Sequence, residues 1–269
     1  MELFGLALAL GTIGLVAGLV GAVIAAYATR SETSTLTSYV QHFAAGLIIA
    51  AATLDLIPEA MELGGGVSLI IGFVVGTAFM LTIRALLIRL GHGHSPGHEH
   101  DQSSRSHSGN SHAHVHDAIH AGADTSINFR LVTALAIVVL IDGAIIGVAV
   151  SAGGAGALLI AVALSIELLF VAASTAGSTR AGGGSIGRSI GVSAFVAVMM
   201  PIGAVLGALV FAGVSAPILV MGLGFGAAAL LFTAVAELLV EAYEIKESTG
   251  TIAMAAAGFL LFLVLMMLM

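Results

Sequence analysis

The stretch FAAGLIIAAATLDLIPEA, residues 43–60, decides the fold class of this chain. It is almost entirely apolar, yet it contains the carboxylates of Asp55 and Glu59. A helix needs roughly 20 mainly apolar residues to cross a bilayer, and the apolar run around this stretch extends from 39 to 61. The stretch therefore predicts a membrane-spanning helix that carries acidic groups.

The composition of the whole chain supports this prediction. Of the 269 residues, 59% are hydrophobic and 9% are charged, and the mean hydropathy is +1.13. Soluble domains carry about 25% charged residues. The chain has no cysteine, which excludes disulfides and thiolate metal sites. Its net charge of −7 provides no basic surface for nucleic acid.

Eight apolar segments predict eight transmembrane helices, TM1 to TM8, and an all-α integral membrane protein. Short connections with Gly or Ser join several of them, as expected where a helix stops and turns. The predicted helices are TM1 at 3–27, TM2 at 39–61, TM3 at 66–90, TM4 at 129–151, TM5 at 155–176, TM6 at 188–212, TM7 at 215–243 and TM8 at 250–269.

The basic residues predict the orientation of these helices. All eight Lys and Arg lie in or beside connections on one side of the arrangement, and such a bias marks the cytoplasmic side. We therefore expect an integral protein of a prokaryotic plasma membrane, with both termini outside.

The opening stretch is repeated near the other end of the chain. It aligns without gaps to FGAAALLFTAVAELLVEA, residues 225–242, so that Asp55 falls on Glu237 and Glu59 on Glu241. The predicted orientation makes these two helices antiparallel, and inverted repeats are typical of secondary transporters. We predict an inverted repeat of TM1–TM3 and TM6–TM8 around central helices TM4 and TM5. A chance similarity between two Ala/Leu-rich helices is the alternative.

Three segments resemble the ZIP (Zrt/Irt-like) metal transporters: the opening stretch, PIGAVLGALV (201–210) and AELLVEA (236–242) are similar to helices two, six and seven of that family. Eight spans and a histidine-rich third connection are similar too, so the likeness covers nearly the whole chain. The family carries HNxxDG in helix four and HNxPEG in helix five. Asp142 and Gly143 match the end of the first motif, and Glu167 matches the acid of the second. The resemblance implies that TM4 and TM5 line a binuclear metal site.

The sequence departs from the family at most of the remaining motif positions. The imidazole and amide ligands of both motifs are absent, as is the acid of helix six. We therefore expect a sparse carboxylate site and leave open whether it holds one metal ion or two. The departing positions are Val138, Val139, Ala163, Leu164, Ile166, Leu168 and Met200.

The residues themselves make Asp142 and Glu167 the central acids. Asp142 lies in LIDGAIIG (140–147), with no charged residue within ten positions on either side. Both acids fall near the middle of their predicted spans, where an ionised carboxylate costs several kcal/mol and usually handles an ion or a proton. Two protonated acids that bond to the backbone are the alternative.

Further acids and two prolines mark TM2, TM6 and TM7. Asp55 and Glu237 are deep enough to join a metal route, and Pro58 and Pro201 each remove a backbone hydrogen bond and predict a kink. Acids nearer the helix ends belong to the same route or lie at the headgroup level. These acids are Glu59, Glu62 and Glu241.

A histidine-rich loop divides the chain, at 91–128, between TM1–TM3 at 1–90 and TM4–TM8 at 129–269. Its polar composition predicts a disordered cytoplasmic segment, and clustered imidazoles favour metal binding. A low-complexity linker is the alternative. We expect the tenth histidine, His42, to be a surface residue. The candidate loop ligands are His92, His94, His98, His100, His107, His112, His114, His116 and His120.

These features predict a ZIP-like transporter that moves divalent metal ions of the zinc, iron or manganese class toward the cytoplasm by alternating access. The metal is substrate; we expect no enzymatic activity and no organic cofactor. Expected partners are divalent metal ions, the lipid bilayer and a second copy in a homodimer. Alternatives are a degenerate metal-binding or sensing protein, a cation-diffusion exporter, which normally has six spans, and an intramembrane aspartyl hydrolase using Asp55 and Asp142.

Overall fold

The computed structural model describes residues 2–27, 33–91, 129–153, 156–240 and 249–268. These residues form helices joined by turns, and they include no strand. Within these ranges, eight helices are long and apolar enough to cross a membrane. The predicted all-α class and the count of eight are therefore confirmed.

The helix bounds differ from the predicted ones mainly at the ends. TM2, TM6 and TM7 are each interrupted, so they are given in parts. The helices are TM1 Glu2–Tyr27; TM2 Thr33–Ala50, Ala51–Leu56 and Ile57–Glu62; TM3 Gly66–Gly91; TM4 Phe129–Ala152; TM5 Ala157–Ala181; TM6 Ile186–Ala197 and Met199–Phe211; TM7 Ala216–Thr233 and Ala234–Leu238; and TM8 Thr249–Leu268.

TM1, TM4, TM5 and TM6 pack into one four-helix group through glycine. A Cβ at Gly143 of TM4 would overlap the carbonyl of Met200, and one at Gly203 of TM6 would overlap that of Leu140. Gly21 of TM1 meets the backbone of TM5 in the same way. Small residues let membrane helices approach backbone to backbone, so this group is held by close contact along its helices.

TM2, TM3, TM7 and TM8 form the second group by the same device. Gly46 of TM2 lies against the backbone of Ala255 in TM8, and Gly72 of TM3 lies against that of Met221 in TM7. The contacts between the two groups differ, because glycine meets side chains there and not backbone. The described glycines that touch across them, Gly156, Gly222 and Gly226, meet side chains.

TM2 and TM7 each contain a π-helical segment. In π1, Ala51–Leu56, the chain widens so that the N–H of Ile57 donates to the carbonyl of Ala52. In π2, Ala234–Leu238, the N–H of Leu239 donates to the carbonyl of Ala234. Such segments are rare and occur frequently at functional sites.

The predicted proline kinks coincide with two irregularities. Pro58 lies two residues after the end of π1, and TM6 is broken at Val198, three residues before Pro201. Proline has no N–H to donate to the carbonyl four residues earlier, so Ala197 loses its usual partner from Pro201. The helix accordingly loosens one turn before each proline.

Helix alternation gives the bundle two ends. The short-connection face is the end of the bundle at which TM2 is followed by TM3, TM4 by TM5 and TM6 by TM7. The opposite end, where TM3 ends at Gly91 and TM4 begins at Phe129, is named the histidine-loop face.

Candidate ion site and route

Asp142 and Glu167 are both buried in the first four-helix group. Asp142 is 5% exposed and Glu167 is 4% exposed, and their helices, TM4 and TM5, are in contact. Each residue also takes part in a hydrogen-bonding or electrostatic interaction. Both predicted central acids therefore lie inside the bundle and not on its surface.

Apolar residues occupy several positions at which the ZIP motifs carry a ligand. Val139, Ala163 and Leu164 are buried, and Met200 packs its sulfur against Gly14 of TM1. Among the described side chains, no three His, Asp or Glu residues lie close enough together to hold a metal ion. Within the described part of the chain, the two buried acids therefore belong to no complete ligand set.

Asp55 lies inside π1, in the second group, and contacts a residue of the first group. Its carboxylate rests against Gly156, the residue that precedes the first turn of TM5. A carboxylate is favoured beside a helix N-terminus, where backbone N–H groups point outward. Glu59 is half-buried one turn further on, and Glu62 is exposed at the short-connection face.

The predicted acids of TM7 are described only in part. Glu237 lies within π2, at the half of TM7 that leads to the histidine-loop face. Glu241 and all nine loop histidines fall outside the described residues. Their proposed roles rest on the sequence.

Arg84 of TM3 contacts π2 directly. Its guanidinium donates to the carbonyl of Ala236 at 3.3 Å and lies 6.0 Å from the ring centre of Phe232. The side chain therefore ties TM3 to TM7 one residue before Glu237.

Sequence reasoning missed several buried polar side chains, among them His42, Gln41 and Thr233. The expectation that His42 is a surface residue is wrong: it is fully buried, and its Nδ1 donates to the carbonyl of Ser38 at 2.8 Å. Gln41 is 5% exposed and Thr233 is 2% exposed. Gln41 shares a helical face with Ala45 and Ile48, four and seven residues on, which are both fully buried. That face could not be read from the sequence, because the helix is apolar on its other sides as well.

Comparison with known proteins adds no family to these observations. A scan against protein-family models and a search of curated proteins find no match for this chain.

Proposed function

We propose that this chain is a ZIP-like transporter of divalent metal ions, with Asp142 and Glu167 as the central ligands. The observation that carries the proposal is the burial of two carboxylates on contacting helices of a membrane-type bundle. Acids within membrane helices usually mark ion or proton pathways. Carboxylate oxygens suit Mn²⁺ and are accepted by Zn²⁺.

The proposed inverted repeat gains support from the two π segments. The gapless alignment of 43–60 with 225–242 superimposes the Ile57 to Ala52 hydrogen bond on the Leu239 to Ala234 bond. It also puts an acid inside each segment. The helix contacts also fit the proposed repeat, in which TM1 to TM3 correspond to TM6 to TM8 and TM4 corresponds to TM5. The contact of TM2 with TM8 then corresponds to that of TM7 with TM3, and the contact of TM1 with TM5 to that of TM6 with TM4.

The two four-helix groups provide a basis for alternating access. Backbone contacts through glycine hold each group together, whereas side chains meet across the boundary. Packed groups of this kind can move against each other as units, as in other repeat-built transporters. The central acids belong to the first group, and the acids of π1 and π2 belong to the second.

A metal-binding or sensing protein that does not transport is the second candidate. It is favoured by the lack of a third acid or histidine near the central pair within the described part of the chain. A sensor needs to bind metal but not to release it across the membrane.

The test is metal uptake into proteoliposomes by the wild type, Asp142→Asn and Glu167→Gln. Each substitution keeps the shape of the side chain and removes a charge whose burial costs about 2.5 to 3.5 kcal/mol at the centre of a membrane helix. We expect uptake to be lost while the melting temperature stays the same or rises. Glu2→Gln, at an exposed residue, is the matched control and should transport normally.

Three outcomes separate the candidates. Binding without uptake by the wild type supports the sensor. Normal uptake by both variants removes Asp142 and Glu167 from the site. Unfolding of both variants would make the acids structural, because breaking a buried polar network strongly destabilises a protein.

A further inference from the structure

We propose that Thr233 and Gln41 supply neutral oxygen ligands to the transported ion between the central acids and the histidine-loop face. This inference rests on the proposed transport function and extends it to two side chains outside the resemblance. Both oxygens are buried and have no hydrogen-bond partner among the described residues.

Thr233 differs from three other threonines of the described helices. The hydroxyls of Thr53, Thr77 and Thr175 each donate to the backbone carbonyl four residues earlier. The Thr233 Oγ1 atom makes no such bond in the part of the chain that the structure describes. A buried hydroxyl without a partner is unfavourable in an apolar interior, so its retention immediately before π2 favours a ligand that binds there.

The position of Thr233 along TM7 places it on the proposed route. It lies seven residues, or two helical turns, after Gly226, and therefore on the same face of TM7. A Cβ at Gly226 would contact Ile145 of TM4 and Leu56 of TM2. Asp142 precedes Ile145 by three residues on the antiparallel TM4. The rise of the α-helix then puts Thr233 about 6 Å beyond Asp142 toward the histidine-loop face.

Gln41 lies on the face of TM2 that is turned toward the boundary between the two groups. The opposite face of TM2 packs on TM8, where Tyr39 meets Gly250 and Phe43 meets Gly258. Gln41 is therefore directed away from TM8, toward the boundary between the groups. Fifteen residues separate it from Leu56, which places it about 12 Å further along the axis than Thr233.

Glu237 occupies the interval between these two oxygens. Its backbone position in π2 packs on TM2, so the order along the axis is Asp142, Thr233, Glu237 and Gln41. Hydroxyl and amide oxygens bind hard divalent cations without adding charge. Neutral ligands before and after an acid would keep the ion partly coordinated without trapping it between carboxylates.

The experiment measures uptake of Mn²⁺ and of Zn²⁺ by Thr233→Val and Gln41→Met in proteoliposomes. Valine keeps the shape of threonine, and methionine keeps the length of glutamine. We expect the uptake rate to fall roughly fivefold for each, since one neutral ligand resembles one hydrogen bond in strength. The fall should be larger for Mn²⁺, the harder ion, and Thr233→Ser should restore the rate.

Thr175→Val is the matched control, because Thr175 is equally buried in TM5 but its hydroxyl is bonded to Val171 at 2.7 Å. It should melt at a lower temperature and transport normally once folded, whereas Thr233→Val should melt no lower than the wild type. Wild-type uptake rates in both Thr233→Val and Gln41→Met would overturn this inference and leave the transport function standing. A wild type that moves neither ion would overturn both.

Discussion

The two π segments share a backbone geometry and an acid, but they have different partners. In π1, the Asp55 carboxylate reaches across the boundary and rests on Gly156 at the start of TM5. In π2, the carbonyl of Ala236 accepts a hydrogen bond from Arg84 of TM3, which belongs to the same four-helix group. One segment therefore connects the two groups, and the other is tied within its own.

This difference gives the two π segments different expected roles in the proposed transport. A contact between groups must break when they move, whereas a contact within a group can persist. We infer that π1 takes part in closing the short-connection face and that π2 stays rigid while an ion passes. The following three experiments test this contrast.

The largest effect is expected at the contact of π1 with TM5. In Gly156→Ala the new Cβ would overlap the Asp55 carboxylate, and overpacking of this kind costs about 1 to 3 kcal/mol. We expect a lower melting temperature and an uptake rate reduced roughly tenfold, the equivalent of about 1.4 kcal/mol. Gly177→Ala, within TM5 and with open space around it, should leave uptake unchanged and should not lower the melting temperature. Asp55→Ala, added to Gly156→Ala, should restore the melting temperature without restoring uptake. If the melting temperature stays low in the double variant, the overlap with Asp55 is not the cause of the destabilisation.

A smaller effect is expected when each π-segment acid loses its charge. Asp55→Asn and Glu237→Gln should each slow uptake roughly fivefold, which corresponds to about 1 kcal/mol. If metal moves from the short-connection face, Asp55→Asn should raise KM, since it weakens capture, and Glu237→Gln should lower the maximal rate, since it slows release. Concentration series of uptake measure both quantities. Identical changes in the two variants would contradict the contrast between the segments.

The smallest effect is expected from Arg84→Met. The apolar stem is kept, while the hydrogen bond to Ala236 and the contact with Phe232 are lost, so the free energy of unfolding should fall by about 1 kcal/mol. Uptake by the folded variant should change less than twofold if π2 is held only for rigidity. Arg180→Met removes a hydrogen bond at an exposed arginine and should be nearly neutral by comparison. A loss of uptake as large as that of Gly156→Ala would mean that π2 moves during transport.

The sequence alone was sufficient for the class of protein and the number of spans. Apolar runs of about 20 residues are a direct requirement of bilayer thickness, so local composition reveals them. It also singled out Asp142 and Glu167, because a charge inside an apolar run is costly wherever the helix packs. Their burial agrees with that reasoning, while their role as metal ligands stays a prediction.

Only the tertiary structure decided which helices are partners and which polar groups are hidden. A membrane helix such as TM1 is apolar on every face, so hydrophobic periodicity does not reveal the side that packs on a neighbour. The burial of His42 and the approach of Asp55 to Gly156 depend on helices distant in sequence. The π segments were likewise missed, since π2 contains no proline to signal it. Local composition determined how many helices cross the membrane. Close contact between helices at glycine determined how they are arranged, and only the three-dimensional structure shows those contacts.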